Sequence, residues 1–274
     1  DLNYHKPYDD PRVQAHIDDA RAFLKKTQKK YDVIILGTLD SQTLLSGMSS
    51  IRLDNYIYTA EAFRSVREHL KPEGVMILYH MSLNTSIPLK LSKILMDIFG
   101  VPPLIHFEKE HRHFNFTLVA GSKAEGFNDF GYFFAELKNK DKIITDLVSP
   151  PTDDWPYLYL DRSGIPNHYL QAGGIIFLIS VISIIFAAGR KNIKSPDWTL
   201  FLLGASFLLL ETKSVTEMSL LFGSTWQVNV LVFAAILMLI FSANLFILHK
   251  GPFDKTNIFF GLFICIGISY AIPT

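Results

Sequence analysis

The chain has 274 residues, of which 26 are Lys or Arg and 26 are Asp or Glu, so its formal net charge is zero. This balance lacks the basic bias of a dedicated nucleic-acid binder, and we predict no nucleic-acid partner. Hydrophobic residues make up 49% of the chain, which excludes a disordered protein, and a single cysteine excludes a disulfide scaffold. Residues 163–189 contain no Asp, Glu, Lys or Arg, which excludes a wholly soluble protein.

The first part of the chain alternates strand and helix signals. Arg12–Ile17 predicts a short strand, and Asp18–Lys29 predicts the helix that follows it. The continuous apolar run Asp32–Leu36 is typical of a strand that is buried on both faces. Thr59–Leu70 predicts a helix capped by Thr59, and Lys71–Gly74 predicts a turn.

The alternation continues beyond this turn and ends in a hairpin. Val75–Tyr79 predicts a second buried strand, and Pro88–Phe99 predicts a helix. Leu104–Phe107 and Phe114–Ala120 are predicted to pair as an antiparallel hairpin across a short polar link. The pattern favours a mainly parallel, doubly wound α/β sheet, which the hairpin makes mixed. The histidines of the link are interpreted as solvent-exposed, and we predict no metal site.

Several polar residues are expected at the edge of the sheet where ligands bind. In open α/β sheets this edge lies at the carboxyl ends of the strands. It would carry Asp18, Asp19, residues 37–40 and His80. Asp18 and Asp19 could equally cap the helix that they precede, and both roles can coexist. His80 is a weak candidate for a catalytic base, because a hydrogen-bonded structural histidine would fit the same position.

The last third of the chain predicts a membrane region over residues 170–274. Four apolar stretches are found there, at residues 172–188, 198–222, 228–248 and 257–272. The first three reach the length of about 17–25 residues that a spanning helix needs. We therefore expect an integral membrane protein with about four helices, whose first partner is the lipid bilayer of a bacterial-type inner membrane.

The loops between these stretches carry an orientation signal. Residues 189–197 contain three basic residues and residues 249–256 contain two, whereas residues 223–227 contain none. The positive-inside rule places the first and third loops in the cytoplasm and the region before residue 170 outside. This orientation rests on five basic residues in two loops, and the side of the soluble domain stays open.

Charged residues interrupt the second apolar stretch. They are Glu211, Lys213 and Glu217, and they would be costly within a membrane unless paired or hydrated. Lys213 and Glu217 are four residues apart, so they can pair on one helix face. The three residues could form a polar intramembrane site or a structural ion pair. Alternatively, the span could end near Leu210, with the charges at the interface.

Several segments together resemble the spermidine synthase family, which has a class I S-adenosylmethionine-type Rossmann fold. Closer still are bacterial multi-spanning membrane proteins that carry such a domain beside their helices. The segments are residues 10–24, 31–36, 58–63, 70–75 and 152–159 for the soluble part and residues 210–226 for the membrane part. The resemblance covers nearly the whole chain, with residues 1–165 as the soluble domain.

The resemblance implies S-adenosylmethionine or its decarboxylated form as a cofactor. Asp19 aligns with the acidic residue that contacts the adenine, with Asp18 beside it. The family reads Asp-Ser-Ser/Thr-Asp at its catalytic strand end. Here Gly37 replaces the first Asp, which helps to deprotonate the attacking amine, and Asp40 matches the second, which helps to bind the polyamine. Asp40 is therefore a candidate for substrate binding and a weak candidate for catalysis.

The family's first strands and their Gly-rich loop have no counterpart in the sequence. We therefore expect an incomplete Rossmann domain that is part of a longer polypeptide or pairs with partner membrane subunits. Three functions remain open. The protein could be a membrane-anchored aminopropyl- or methyltransferase with an unknown acceptor, a catalytically inactive scaffold or complex subunit, or a transporter-like protein.

Overall fold

The computed structural model describes residues 6–38, 53–82, 86–110, 113–124, 149–160, 164–165, 167–188, 198–223, 226–251 and 255–271. Helices and strands alternate in the soluble part, as the sequence predicts. They are α1 (Ala20–Lys26), β1 (Tyr31–Gly37), α2 (Ala60–Glu68), β2 (Leu70–Ser82), α3 (Ser86–Phe99), β3 (Leu104–Glu110) and β4 (His113–Gly121), with 3-10 helices at Pro7–Asp9 and Leu53–Tyr58.

The described strands form one mixed sheet in the order β1-β2-β4-β3. β1 and β2 are parallel, whereas β4 pairs antiparallel with both β2 and β3. The hairpin β3–β4 thus places its second strand against the parallel pair. The mixed Rossmann-like character is confirmed, but among the described strands the parallel part is smaller than expected.

The two faces of the sheet are covered differently. Helices α2 and α3 cover one face, where Phe63, Met76 and Leu78 are fully buried. On the opposite face the side chains near β1 are exposed, and Val33 and Ile35 retain 49% and 60% of their accessible surface. A parallel strand pair normally has both faces covered. The described residues therefore leave one apolar face of β1 open.

Two predicted elements differ from the structure. The segment Arg12–Ile17 forms no strand, because an open groove separates its residues Gln14 and His16 from β1. Residues 71–74 lie within β2 rather than forming a separate turn. They make a bulge, since the pairing moves from Tyr31 with Leu70 directly to Val33 with Val75.

Four long apolar helices follow the soluble part. They are α4 (Asn167–Ala188), α5 (Trp198–Phe222), α6 (Trp226–Lys250) and α7 (Lys255–Ala271). Their bounds agree with the predicted stretches to within a few residues. The first three are long and apolar enough to cross a membrane, and α7 is shorter.

The soluble part contacts the end of α5. The Lys25 Nζ donates a hydrogen bond of 2.7 Å to the carbonyl oxygen of Leu220. Gly223 ends α5 with a φ of +99°, and it lies so close to Asp19 that an added Cβ would be 2.7 Å from the Asp19 Cβ. The start of α1 therefore rests directly on the end of a membrane-type helix.

Candidate ligand-binding edge of the sheet

The carboxyl ends of β1 and β2 lie at the same edge of the sheet, because the two strands are parallel and Gly37 pairs with Tyr79. The link 27–30 joins the end of α1 to the start of β1. This connection directs the start of α1 toward the carboxyl end of β1. The fold thus brings the predicted residues Asp18, Asp19 and Gly37 to one edge.

Asp18 and Asp19 both have local structural partners. Asp19 is the N-cap of α1, and its side chain accepts a hydrogen bond of 2.9 Å from the Ala22 amide. Asp18 accepts a hydrogen bond of 2.9 Å from the Lys26 Nζ, and this bond lowers the pKa of the Asp18 carboxyl. The capping role proposed from the sequence is therefore present, and adenine contact by Asp19 stays a prediction.

Gly37 is covered by the side chain of Tyr79 from the neighbouring strand. A Cβ added at Gly37 would lie 2.1 Å from the Tyr79 hydroxyl oxygen and 2.3 Å from its Cζ. The phenol thus occupies the space that any side chain at position 37 would need. Tyr79 itself is 50% exposed, whereas its neighbours Leu78 and His80 are buried. Sequence analysis missed Tyr79, because only the strand pairing reveals that it faces a glycine.

His80 lies in the core rather than at an open surface. It is 3% exposed and stacks on Tyr58 with ring centroids 5.3 Å apart, while the Phe116 ring contacts it edge-on at 5.7 Å. Burial lowers the pKa of His80 from 6.5 to about 4. A neutral, enclosed imidazole fits the structural interpretation better than the catalytic one. Asp40, the other catalytic candidate, lies outside the described residues.

A cluster of hydrogen-bonded polar residues connects the segment 149–160 to the starts of α1 and α2. The Arg21 guanidinium binds both carboxylate oxygens of Asp153, and its Nη1–Oδ1 distance is 2.7 Å. The Thr59 hydroxyl donates to the same carboxylate at 2.7 Å, and Arg21 also donates to the Tyr56 carbonyl at 3.0 Å. Burial raises the pKa of Asp153, but the hydrogen bonds from Arg21 and Thr59 outweigh it and leave the pKa lowered.

A buried lysine holds the end of the same segment. Lys90 of α3 is fully buried, and its Nζ donates to the carbonyl oxygens of Leu158, at 2.9 Å, and Leu160. The sequence carries a signal for this role, because Lys90 lies among the apolar residues of the buried face of α3. A lysine at such a position must donate to buried acceptors.

The three charged residues of α5 lie within one continuous helix. The helix does not end near Leu210 but runs on to Phe222. Lys213 and Glu217 form the predicted ion pair, with an N–O distance of 3.3 Å. Glu211 is half-buried, whereas the paired side chains are exposed in the chain as described. A polar intramembrane role for these residues stays a prediction.

An open groove runs beside β1, with a volume of about 480 Å³. Asp18, His16 and Phe23 line one side of it, and residues 33–36 of β1 line the other. Within the described ranges, no cluster of three or more His, Cys, Asp or Glu side chains is placed to hold a metal ion.

Comparison with known proteins identifies the domain type of the first part. Residues 2–95 match the family model of the spermine/spermidine synthase domain. Over 96 residues the chain is 33% identical to a polyamine aminopropyltransferase of Nitrosomonas europaea. This similarity covers 34% of the chain and 27% of that relative, so the chain spans about a quarter of its length.

Solved structures with partial similarity include two spermidine synthases and a methyltransferase-like protein. The spermidine synthase of Thermotoga maritima is 16% identical, with a TM-score of 0.32 over 61% of this chain and 52% of that one. The probable spermidine synthase of Corynebacterium glutamicum is also 16% identical, with a TM-score of 0.32 over 57% and 56%. Human methyltransferase-like protein 13 in complex with SAH is 19% identical, with a TM-score of 0.31 over 40% and 49%.

The sequence match and the sheet together support a coarse conclusion. The first part of the chain is a spermidine synthase-like domain with a Rossmann-like mixed sheet. Helices of membrane-spanning length follow it. The resemblance expected from the sequence is confirmed at this level.

Proposed function

We propose that this chain is part of an integral membrane protein whose spermidine synthase-like domain binds an adenosyl ligand and acts as a transferase. The observation that carries the proposal is the 33% identity over 96 residues to a polyamine aminopropyltransferase. The match to the spermine/spermidine synthase family model supports it, because residues 2–95 include both acidic residues at the start of α1 and the end of β1. S-adenosylmethionine and its decarboxylated form are the ligands that this similarity favours.

Membrane integration is supported by the surfaces of α4, α5 and α6. Their apolar side chains are almost entirely exposed in the described chain, with at most 6% of the most apolar window buried in any of the three. Apolar surface on this scale requires lipid or other helices to cover it. We propose a bacterial-type inner membrane as the location.

The transfer chemistry requires a proton acceptor for the nucleophile. In aminopropyl transfer the amine nitrogen attacks the carbon bound to the sulfonium, the C–N bond forms, the C–S bond breaks, and sulfur retains the electron pair. The amine must also lose a proton. Gly37 cannot accept it, and the Tyr79 phenol fills the space beside Gly37. The proposed transferase therefore uses another acceptor of the proton or another class of substrate.

A second candidate function is a non-catalytic scaffold that retains the fold. The filled space at Gly37 favours it, because a carboxylate cannot be placed there without moving Tyr79. In this case the domain would serve assembly with other membrane subunits. Adenosyl-ligand binding without turnover would support this function over the transferase.

Additional polypeptide is the partner that the open edge of β1 favours. β1 pairs with β2 on one side, and on the other side the described residues leave a groove of about 480 Å³. Exposed Val33 and Ile35 flank this edge. We propose that further β structure, from another part of the same protein or from a partner subunit, pairs with β1.

Calorimetry on the purified protein tests the proposed function. Saturable binding of S-adenosylmethionine, decarboxylated S-adenosylmethionine or methylthioadenosine is expected. The matched variant is Asp19→Asn, because asparagine preserves the helix cap while it removes the carboxylate that would accept from the adenine amino group. Weaker binding by this variant supports a ligand role for Asp19. Absence of binding by all three ligands would contradict the proposed function.

A further inference from the structure

The side chain that fills the space at Gly37 is held in a defined position by the strand pairing. Gly37 and Tyr79 are register partners on neighbouring parallel strands, so their side-chain directions lie on the same face of the sheet. The Tyr79 hydroxyl oxygen would be 2.1 Å from a Cβ at position 37. The glycine therefore allows the end of the ring to lie directly against the backbone of β1.

This arrangement leaves a large part of the aromatic ring accessible. Tyr79 is 50% exposed although it lies near the end of a strand whose neighbouring residues are buried. Ile35, on the same face of β1, is 60% exposed and continues the open surface. The end of the ring covers Gly37, and the exposed half of the tyrosine lies on the same face of the sheet as the apolar side chain of Ile35.

The position of the ring matches the place where a ligand would lie. Ligands of open α/β sheets bind outside the carboxyl ends of the strands, and Tyr79 is within three residues of the end of β2. The π-face of tyrosine carries partial negative charge and attracts cations, including alkylated ones such as a sulfonium. An aromatic ring can thus recognise a positive charge where no carboxylate can be placed.

We propose that Tyr79 recognises the cationic end of the adenosyl ligand, the sulfonium, through its ring, and that Gly37 is the positioning residue for that ring. The inference rests on the proposed function, because it names the contact by which the same ligand is bound. It predicts discrimination between charged sulfonium ligands and neutral thioether ligands. The hydroxyl group lies against Gly37, so it contributes little to the discrimination between charged and neutral ligands.

The test compares three ligands on three variants of the purified full chain. S-adenosylmethionine and its decarboxylated form are sulfonium cations, and methylthioadenosine is a neutral thioether. Tyr79→Leu is expected to weaken binding of both cations by about fivefold or more, as loss of a partly desolvated cation–π contact would. Methylthioadenosine should bind within twofold of its original affinity. Tyr79→Phe should restore cation binding, and Tyr8→Leu, at a tyrosine 74% exposed elsewhere, should change nothing.

Each other outcome has a separate meaning. If the wild-type protein binds the ligands and Tyr79→Leu binds them equally well, the inference is wrong and the proposed function stands. If Tyr79→Leu weakens the neutral ligand as much as the cations, recognition of the charge is overturned. If the wild-type protein binds none of the three ligands, the proposed function fails and this inference fails with it.

A second measurement avoids substitution and hence any failure to fold. Nitration of the wild-type chain with tetranitromethane, followed by peptide mass spectrometry, reports the accessibility of each tyrosine. Bound S-adenosylmethionine is expected to protect Tyr79 and to leave Tyr8 reactive. Equal nitration of Tyr79 with and without saturating ligand would overturn the inference.

Discussion

Arg21 of α1 and Asp153 form a bidentate ion pair, although 132 positions of the sequence separate them. The Arg21 side chain is only 9% exposed and that of Asp153 is 27% exposed. The pair joins the first helix to the segment 149–160, which includes the stretch 152–159 that resembles the spermidine synthase family. Its geometry, with parallel N–H donors on both oxygens, is the arrangement that gives ion pairs strength and specificity.

Removal of one partner is expected to be more harmful than removal of both. Arg21→Met leaves the Asp153 carboxylate partly buried without its main donor, and we expect a loss of about 2 kcal/mol in the free energy of unfolding. The double variant Arg21→Met/Asp153→Leu should recover part of this loss. Thermal and denaturant unfolding in detergent measure both, and additive effects in the double variant would show that the pair is not coupled.

Low pH should weaken the ion pair between Arg21 and Asp153. The pKa of Asp153 is lowered in the folded protein, because the bonds from Arg21 and Thr59 outweigh burial. A lowered folded pKa contributes stability above the unfolded value of 3.8, and this contribution is lost as the pH falls through the folded pKa. Asp153→Asn should lack this dependence below about pH 4. A wild-type acid profile identical to that of the variant would contradict the prediction.

Protonation of His80 should control the stability of the fold in a higher range of pH. Its pKa is about 4 in the folded protein and 6.5 when unfolded, because burial disfavours the imidazolium. The unfolded chain therefore binds more protons between these values, and stability should fall as the pH decreases from 6.5 to 4. The full loss is about 3 kcal/mol. His80→Gln should flatten this part of the profile, whereas His16→Gln, at an exposed histidine, should preserve it.

The sequence predicts the local elements of this fold better than its site. The apolar run Asp32–Leu36 and the cap Thr59 identify β1 and α2, because a continuous apolar run and helix capping are properties of neighbouring residues. The expected burial of β1 on both faces is not found among the described residues, since Val33 and Ile35 are exposed. The failure at Arg12–Ile17 has a non-local cause. A strand requires a partner for its backbone, and the described residues place a groove where that partner would be.

The site depends on contacts that no local pattern contains. Nothing near Gly37 in the sequence identifies Tyr79, 42 positions away, as the residue that fills its space, because the strand register decides which side chains meet. The Arg21–Asp153 pair is even more distant in sequence, at 132 positions. By contrast, the pair Lys213–Glu217 was predictable, because four residues correspond to one helical turn.

Lys90 offers a test of the buried contacts at the end of segment 149–160. Lys90→Met retains the volume of the side chain and removes the donor to the Leu158 and Leu160 carbonyls. Buried acceptors without a donor cost about 1–3 kcal/mol each, so we expect a loss of about 2 kcal/mol in the free energy of unfolding. Asp97→Asn, at an exposed position of α3, is the control and should change the stability by less than about 0.5 kcal/mol.

Faster proteolysis should accompany the loss of stability in Lys90→Met. The segment 149–160 would keep its contacts with Arg21 and α2 and the packing of Leu158 in the core, but its end would lose the hydrogen bonds from Lys90. A protease should therefore cleave near Tyr159 before it cleaves the sheet. Cleavage sites can be read by mass spectrometry after brief digestion. A variant that is less stable but is cleaved at the same sites and in the same order as the wild type would show that Lys90 does not hold this segment.

Gly223 is expected to control the contact between the soluble part and the membrane-type helices. Its φ of +99° is a conformation that residues with a Cβ rarely adopt, and an added Cβ would be 2.7 Å from the Asp19 Cβ. Gly223→Ala should therefore cost about 1–2 kcal/mol. It should also lengthen the distance between Lys25 and Leu220. Gly204→Ala is the matched control, because it lies within α5 with open space around it, and alanine there should be neutral or slightly stabilising.

A chemical cross-link between the two parts gives this prediction a structural measurement. Lys25→Cys and Leu220→Cys introduce thiols that are separated by about the length of a lysine side chain, because the Lys25 Nζ contacts the Leu220 carbonyl. A short bis-maleimide spans this gap, which is too long for a disulfide. Since the natural Cys265 must first be replaced by serine, the triple variant is the reference. The bis-maleimide should cross-link this variant rapidly, and adding Gly223→Ala should slow the reaction. Equal cross-linking rates with glycine or alanine at position 223 would show that the soluble part does not depend on this close contact for its position on the helices.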